Sequence, residues 1–229
     1  PPPAAAAPVL AARAGYVQLV DDAGLLTIAR RHGLRIDVVP EVGDFVAAGE
    51  PLALLSPPQH AAAAVGACER SFDLGPTRTL QRDVGFGIRQ IVDIGLKAIS
   101  PAVNDPSTAA TCIDHLGDLL CRVVNRPACD GVLRDGDTVR VVVPRPSREA
   151  LIDLAFNQLR QYGRSDLSVS IRMLRSLIRI AAATDDAACL ARVGLHARLI
   201  VSGLQPGFAS EDRADLDRLA AALVERTVD

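Results

Sequence analysis

The chain has 229 residues, 49% of them hydrophobic and 23% charged, with a formal net charge of −2. That balance supports one or two compact units with a sizeable core and excludes wholesale disorder, and the charge excludes a global basic field that would draw the chain onto nucleic acid. The longest uncharged run, Pro51 to Cys68, contains three prolines, Gln59 and His60, so it cannot supply the roughly 20 apolar helical residues of a membrane span.

In chain order, residues 1–13 read as a Pro/Ala linker. Ala14 to Val20 alternates apolar and polar residues like a strand, and Asp21 or Asp22 caps a short helix that Gly33 closes. Leu34 to Val39 alternates again. The turns Gly43-Asp44 and Gly49-Glu50 then bracket short strands that run to Leu55. Residues 14–60 therefore form a small β module with one inserted helix, and 61–76 read as a linker.

From Thr77 the period becomes helical. Leu80, Val84, Ile88, Ile91, Gly95 and Ala98 form one stripe, which predicts a buried face ending before Ser100-Pro101. Asp105-Pro106 starts the next helix as N-cap and N1. Asp135-Gly136 marks a hairpin over about 131–143. Ser147, Ser165, Asp185 and Ser210 open four further helices, with Gly163 and Gly203 as stops. The fold class is thus α+β: a β module, then a mainly helical domain over 77–229 that carries one hairpin.

Candidate chemistry concentrates between Arg78 and Arg122. Gly85, Gly87 and Gly95 each cost about 1 kcal/mol against alanine inside a helix. Gly87, Ile91 and Gly95 share a face, so close approach of another backbone, and self-association there, are expected. Arg89–Asp93 and Asp93–Lys97 stand at i, i+4, enough for a solvated ladder and compatible with a ligand surface. The loop into Asp105 leads to a helix start with free N–H groups and the hydroxyls of Ser107, Thr108 and Thr111, an arrangement that could hold an anion. The bland alternative is that Asp105 satisfies those donors itself.

Cys112 and His115 share a face but lack the further ligands zinc needs, so no metal is expected. Arg172, Arg175 and Arg179 form a stripe suited to solvent or to anionic lipid. No nucleophile triad, phosphate-loop or metalloprotease pattern occurs, so no catalytic residue is assigned and the chain leans non-enzymatic. Five irregularly spaced cysteines without a Cys-x-x-Cys pair suit buried thiols in a reducing compartment, which favours the cytoplasmic side.

Two stretches resemble known families. The pattern Gly43-Asp44-x-Val46-x-x-Gly49-x-Pro51-Leu52-x-x-Leu55 resembles barrel-sandwich hybrid domains. Covalent cofactor carriage of the biotinyl or lipoyl kind would need a lysine on the following hairpin. Ser56-Pro57-Pro58 stands there instead, so no cofactor is expected. The stretch Gln81 to Ile94, continued by Ala98 to Pro106 and by Thr108-Ala109 and Thr111-Cys112-Ile113-Asp114, resembles the bacterial predicted-membrane-protein family called domain of unknown function 2254.

That resemblance implies transmembrane helices ahead of a soluble region. Pro1 in place of an initiator, with Met173 the one methionine, reads the same way, as a piece of a longer protein. It brings no established activity and no catalytic residues. The motif residues Arg82, Asp83, Arg89, Gln90, Asp93, Asn104, Asp105, Thr108 and Asp114 remain as a candidate ligand site. The leading expectation is a non-catalytic domain of a multi-pass membrane protein, serving assembly, gating or ligand sensing on the cytoplasmic face, with a homo-oligomer as partner. The alternative is an enzyme or ligand-binding domain built on Arg82, Arg89, Asp93, Asn104 and Asp105.

Overall fold

A computed structural model describes residues 5–127 and 129–228. It is an α+β protein of two compact units, Pro1–Phe86 with Ala128–Pro146 and Gly87–Pro127 with Ser147–Asp229. The split does not follow the chain from end to end, because the segment between the two early helices and the later four returns to the first unit.

The first unit holds β1 (Ala7–Leu10), β2 (Gly15–Val20), α1 (Asp22–His32), β3 (Arg35–Val38), β4 (Phe45–Val46), β5 (Pro51–Ser56), α2 (Val65–Glu69), β6 (Phe72–Gly75), β7 (Val132–Asp135) and β8 (Thr138–Val142). One sheet runs β1-β5-β3-β8-β7 and the other β4-β2-β6. The β3–β8 pair is parallel, with Ile36 beside Val141. Asp21 caps α1 through the Gly24 N–H at 3.0 Å, and Gly33, at φ 64°, closes it. Leu25, Leu34, Ile36, Leu52, Leu55 and Val141 are fully buried, each stabilising the unit by roughly 1.5–3 kcal/mol. Asp37 is buried among them because Arg35, two residues away on the same face, bonds it at 2.7 Å.

Several sequence expectations change here. The first 13 residues are not merely linker: β1 pairs with β5. Residues 61–76 contain α2 and β6, and β6 pairs with β2. The hairpin belongs to the sheet of the first unit rather than to the helical domain. The strand order, with its parallel pair, gives no support to a barrel-sandwich arrangement; what survives of that pattern is the two turns, where Gly43 and Gly49 take φ of 99° and 86°.

The second unit is helical: α3 (Val84–Ala98, whose first turn belongs to the other unit), α4 (Pro106–Val124), α5 (Arg148–Tyr162), α6 (Leu167–Ala182), α7 (Ala187–Gly203) and α8 (Ser210–Val228). Side-chain caps start α4, α5, α6 and α7 from Asp105, Ser147, Asp166 and Asp186. The core gathers Ile88, Ile113, Leu116, Phe156, Leu177, Val193 and Leu216. The buried stripe of α3 begins at Ile88: Leu80 precedes the helix and is 62% exposed, and Val84 is 44% exposed. Among the described residues no helix is long and apolar enough to cross a membrane.

Inside this core His196 is buried, its Nε2 2.9 Å from Asp153 Oδ1, while its Nδ1 finds no partner among the described residues. Burial pushes its pKa down, with help from Arg160 and Arg192, against the opposing pull of Asp153. A lowered folded pKa means that the unfolded chain binds the proton more tightly. Stability is therefore whole above the unfolded value of about 6.5 and falls as pH drops below it towards the folded value. The expected slope is at most about 1.4 kcal/mol per pH unit, and it should flatten in His196→Gln. Urea midpoints of the two proteins between pH 7.5 and roughly pH 5 test this, and parallel curves would contradict it.

Candidate functional site

The candidate residues lie on α3 and α4 and directly before them. Asp83 stands directly before α3 and is buried. Its Oδ1 accepts the Phe86 N–H at 2.7 Å in the manner of an N-cap, and its Oδ2 accepts from Arg78 at 2.8 Å and 3.0 Å. The Arg78 guanidinium lies 5.1 Å from the Phe86 ring centre, a cation–π stack that fixes the pair. Gly43 makes room for this ion pair, since a Cβ there would sit 2.4 Å from Asp83 Oδ2. Beside it Glu41 has its pKa raised by burial and by the charges of Asp44 and Asp83, against Arg145. Arg145 itself pairs with Asp22. Arg82, next to Asp83, is exposed and takes φ 64°.

At the start of α4, Asp105 Oδ1 accepts from the Thr108 N–H at 3.1 Å and from Ser107 Oγ at 2.7 Å, and Oδ2 from Thr108 Oγ1 at 2.5 Å. These bonds, the Thr108 hydroxyl first, lower its pKa to about 2. The carboxylate already occupies the place an anion would take, so the bland reading of this loop prevails. Asn104 is exposed at φ 49°, tolerable for asparagine. Arg89 Nε and Asp93 Oδ1 pair at 3.1 Å on the outer side of α3, and Gln90 is exposed there. Such a pair contributes about 0.3–0.5 kcal/mol. Asp114, on α4, is bound by Arg172 and by Arg179 at 2.9 Å from α6. Burial pushes its pKa up, but the two guanidiniums outweigh burial and hold it low.

Asp83, Arg89, Asp93, Asp105, Thr108 and Asp114 are thus divided among caps and ion pairs, and Arg82, Gln90 and Asn104 are exposed. The 90 Å³ hollow beside the start of α4 takes in Asn104 but neither Arg89 nor Asp93.

The family model for domain of unknown function 2254 (DUF2254), described as a predicted membrane protein, matches residues 1–179. The chain belongs to this family. It is 35% identical over 231 residues to the uncharacterised protein Rv1290c of Mycobacterium tuberculosis and, at the same identity, to the uncharacterised protein Mb1321c of Mycobacterium bovis. Each match covers 98% of this chain and 44% of the relative, so the chain spans less than half the length of the curated relatives it matches. No solved structure matches.

For this DUF2254 chain the candidate interface is also redrawn. Gly95 is buried within its own unit, where a Cβ would lie 3.0 Å from a Leu159 methyl and 3.5 Å from Cys112 Cβ. Its small size serves helix packing inside the chain. Ile91 packs against the same core, and Gly87 is half-buried. Cys112 turns into the core and His115 is exposed, so they do not act as a pair. Arg172 and Arg179 are spent on Asp114, which leaves Arg175 as the one exposed member of that stripe without an ion pair among the described residues.

Arg78 and Glu41 are not among the residues the sequence singles out, and Gly43 is legible there only as a turn, because their convergence depends on that turn some 40 residues upstream of α3. Nor does the sequence bring together Glu149, Asp186 and Cys189, whose ligand atoms lie within 4.8 Å of one another. Glu149 sits in the first turn of α5 and Asp186 is the N-cap of α7, both places where the helix dipole favours acids. Arg148 Nη1 is 3.2 Å from Asp186, and burial with the neighbouring carboxylates pushes the Cys189 thiol up to about 11. A cation would meet a guanidinium, two positive helix ends and a protonated thiol there, so the trio reads as capping.

Proposed function

We propose that this chain is a non-catalytic domain of a DUF2254 membrane protein, standing on the cytoplasmic face and serving assembly, gating or ligand sensing. The reading rests on one observation: the family-motif carboxylates act as helix caps or in ion pairs, Asp83 with Arg78, Asp105 with Thr108, Asp114 with Arg172 and Arg179. A catalytic reading would call for such groups to converge on one cavity beside a substrate-sized space. Membrane spans would come from the part of the longer relatives outside the matched stretch. Self-association of the whole protein belongs to the same reading and would use a surface other than Gly95.

The cytoplasmic placement is tested with the exposed thiol of Cys129. In intact cells carrying the full-length protein, a membrane-impermeant maleimide should spare Cys129 and should label it once the membrane is permeabilised. Cys129→Ser supplies the background. Labelling of Cys129 in intact cells would put the domain on the outer face and end that part of the proposal.

A further inference from the structure

A groove of about 400 Å³ on the β-rich unit is lined by Val39, Pro40, Phe45 and Pro51, with the carboxylates of Asp44 and Glu50 among its walls and no lysine or arginine. Phe45 is 59% exposed on β4, the edge of the three-stranded sheet, and is held in place edge-on by Tyr16 at 5.3 Å. Val39 is 45% exposed, and Leu10, which pairs with Pro51 across β1 and β5, is 47% exposed. Three of this unit's five strongly exposed large apolar side chains among the described residues therefore gather at one place, and such clustering marks interaction sites where single exposed apolar residues do not.

The charge around the groove selects the partner. Asp44 spends one oxygen on the Glu41 N–H and Glu50 one on the Ala47 N–H, both at 2.8 Å. Their other oxygens have no hydrogen-bond partner among the described residues. Glu41 adds a third carboxylate beside Asp44, partly offset by Arg145. An anionic lipid surface or a nucleic acid would be repelled here, and an acidic peptide likewise.

We propose that this groove docks a peptide segment with an apolar anchor flanked by arginine or lysine. The anchor would sit against Val39, Phe45 and Pro51, and the cations would meet Asp44 and Glu50. Segments of that chemistry flank membrane spans on the cytoplasmic side, which suits a domain of a predicted membrane protein. The inference goes beyond the domain role proposed above. Failure of peptide binding would leave the Cys129 labelling result standing, and the reverse holds as well.

The test is fluorescence anisotropy of the 229-residue chain with a labelled peptide of two leucines and a phenylalanine between arginine pairs, against a twin with glutamate pairs. Saturable binding of the arginine peptide is expected. The double variant Asp44→Asn, Glu50→Gln keeps the acceptor oxygens both turns use while removing both charges, and it should weaken binding about tenfold. Phe45→Ser should weaken it comparably. Circular dichroism melting checks that each variant is folded. If a variant does not fold, the unmodified chain still decides: raising salt from roughly 50 mM to roughly 0.5 M should weaken the arginine peptide several-fold. Equal binding of the glutamate twin, indifference to salt and variants, or tighter binding to phosphatidylglycerol vesicles than to the peptide would each overturn the proposal.

Discussion

Asp83→Ala is expected to destabilise the β-rich unit by roughly 2–3 kcal/mol, more than any other change among the family-motif residues. The carboxylate does two things at once. It closes the first turn of α3 through the Phe86 N–H, worth about 1 kcal/mol, and it neutralises Arg78 in a place where its own side chain is only 4% exposed. The Arg78 side chain is 32% exposed, which keeps the penalty for its orphaned charge below the 3–5 kcal/mol of a fully buried pair.

Asp83→Asn retains the acceptor for Phe86 and loses only the charge, so its loss should lie between those of the native chain and Asp83→Ala. Native-state amide exchange of Val17 and Gly43 reads the change within this unit. If the double variant Arg78→Ala, Asp83→Ala costs no less than the sum of the two single ones, the pair carries no coupling and the packing of Gly43 around it has another cause.

Much of the helical unit was readable because its signals are local. Asp105 with Pro106, Ser147, and the stop at Gly163 lie within a turn of the boundaries they set, and the hydrophobic period decides the buried face from Ile88 onward. The β-rich unit was readable only in pieces. Its strands alternate correctly, but β8 lies about 100 residues beyond its partner β3, and no periodicity reports a pairing at that distance. The Pro/Ala composition of the first residues hid β1 for the opposite reason: four residues carry too little pattern to outweigh it.

The candidate site followed the same rule. Sequence picked out Asp83, Asp105 and Asp114 as unusual residues, yet their partners Arg78, Arg172 and Arg179 decide what they do. The Asp105 cap and the Arg78–Asp83 pair lie within five residues, whereas Arg172 and Arg179 reach Asp114 from about 60 residues away. Gly95 shows the limit for glycine: its spacing announced a close approach, but the approaching side chain, Leu159, comes from its own chain.

Gly131→Ala should cost about 3 kcal/mol, and its contrast with Gly136→Ala isolates the reason. Both glycines have positive φ, 67° and 57°, so either alanine carries about 1 kcal/mol of left-handed strain. Gly136 sits in open space at the hairpin tip, with nothing within 4 Å of an added Cβ. At Gly131 the same Cβ would fall 1.9 Å from the Val143 carbonyl oxygen, and backbone, not a flexible side chain, would have to yield. Overpacking of that kind adds roughly 1–3 kcal/mol.

The displaced strand end is also the one that hydrogen-bonds back, with Val143 N–H donating to Gly131 O at 2.9 Å. Loss there should loosen β8 against β3 first. Exchange of the Ile36 and Val141 amides should accelerate markedly in Gly131→Ala and little in Gly136→Ala, while Leu116 and Leu177 in the helical core keep their protection. Equal acceleration in both cores would mean that the segment 128–146 is not a part of the β-rich unit alone and that the two cores unfold together. Unequal acceleration would give the inserted hairpin its physical role: it is the far strand pair that completes a sheet begun more than a hundred residues earlier.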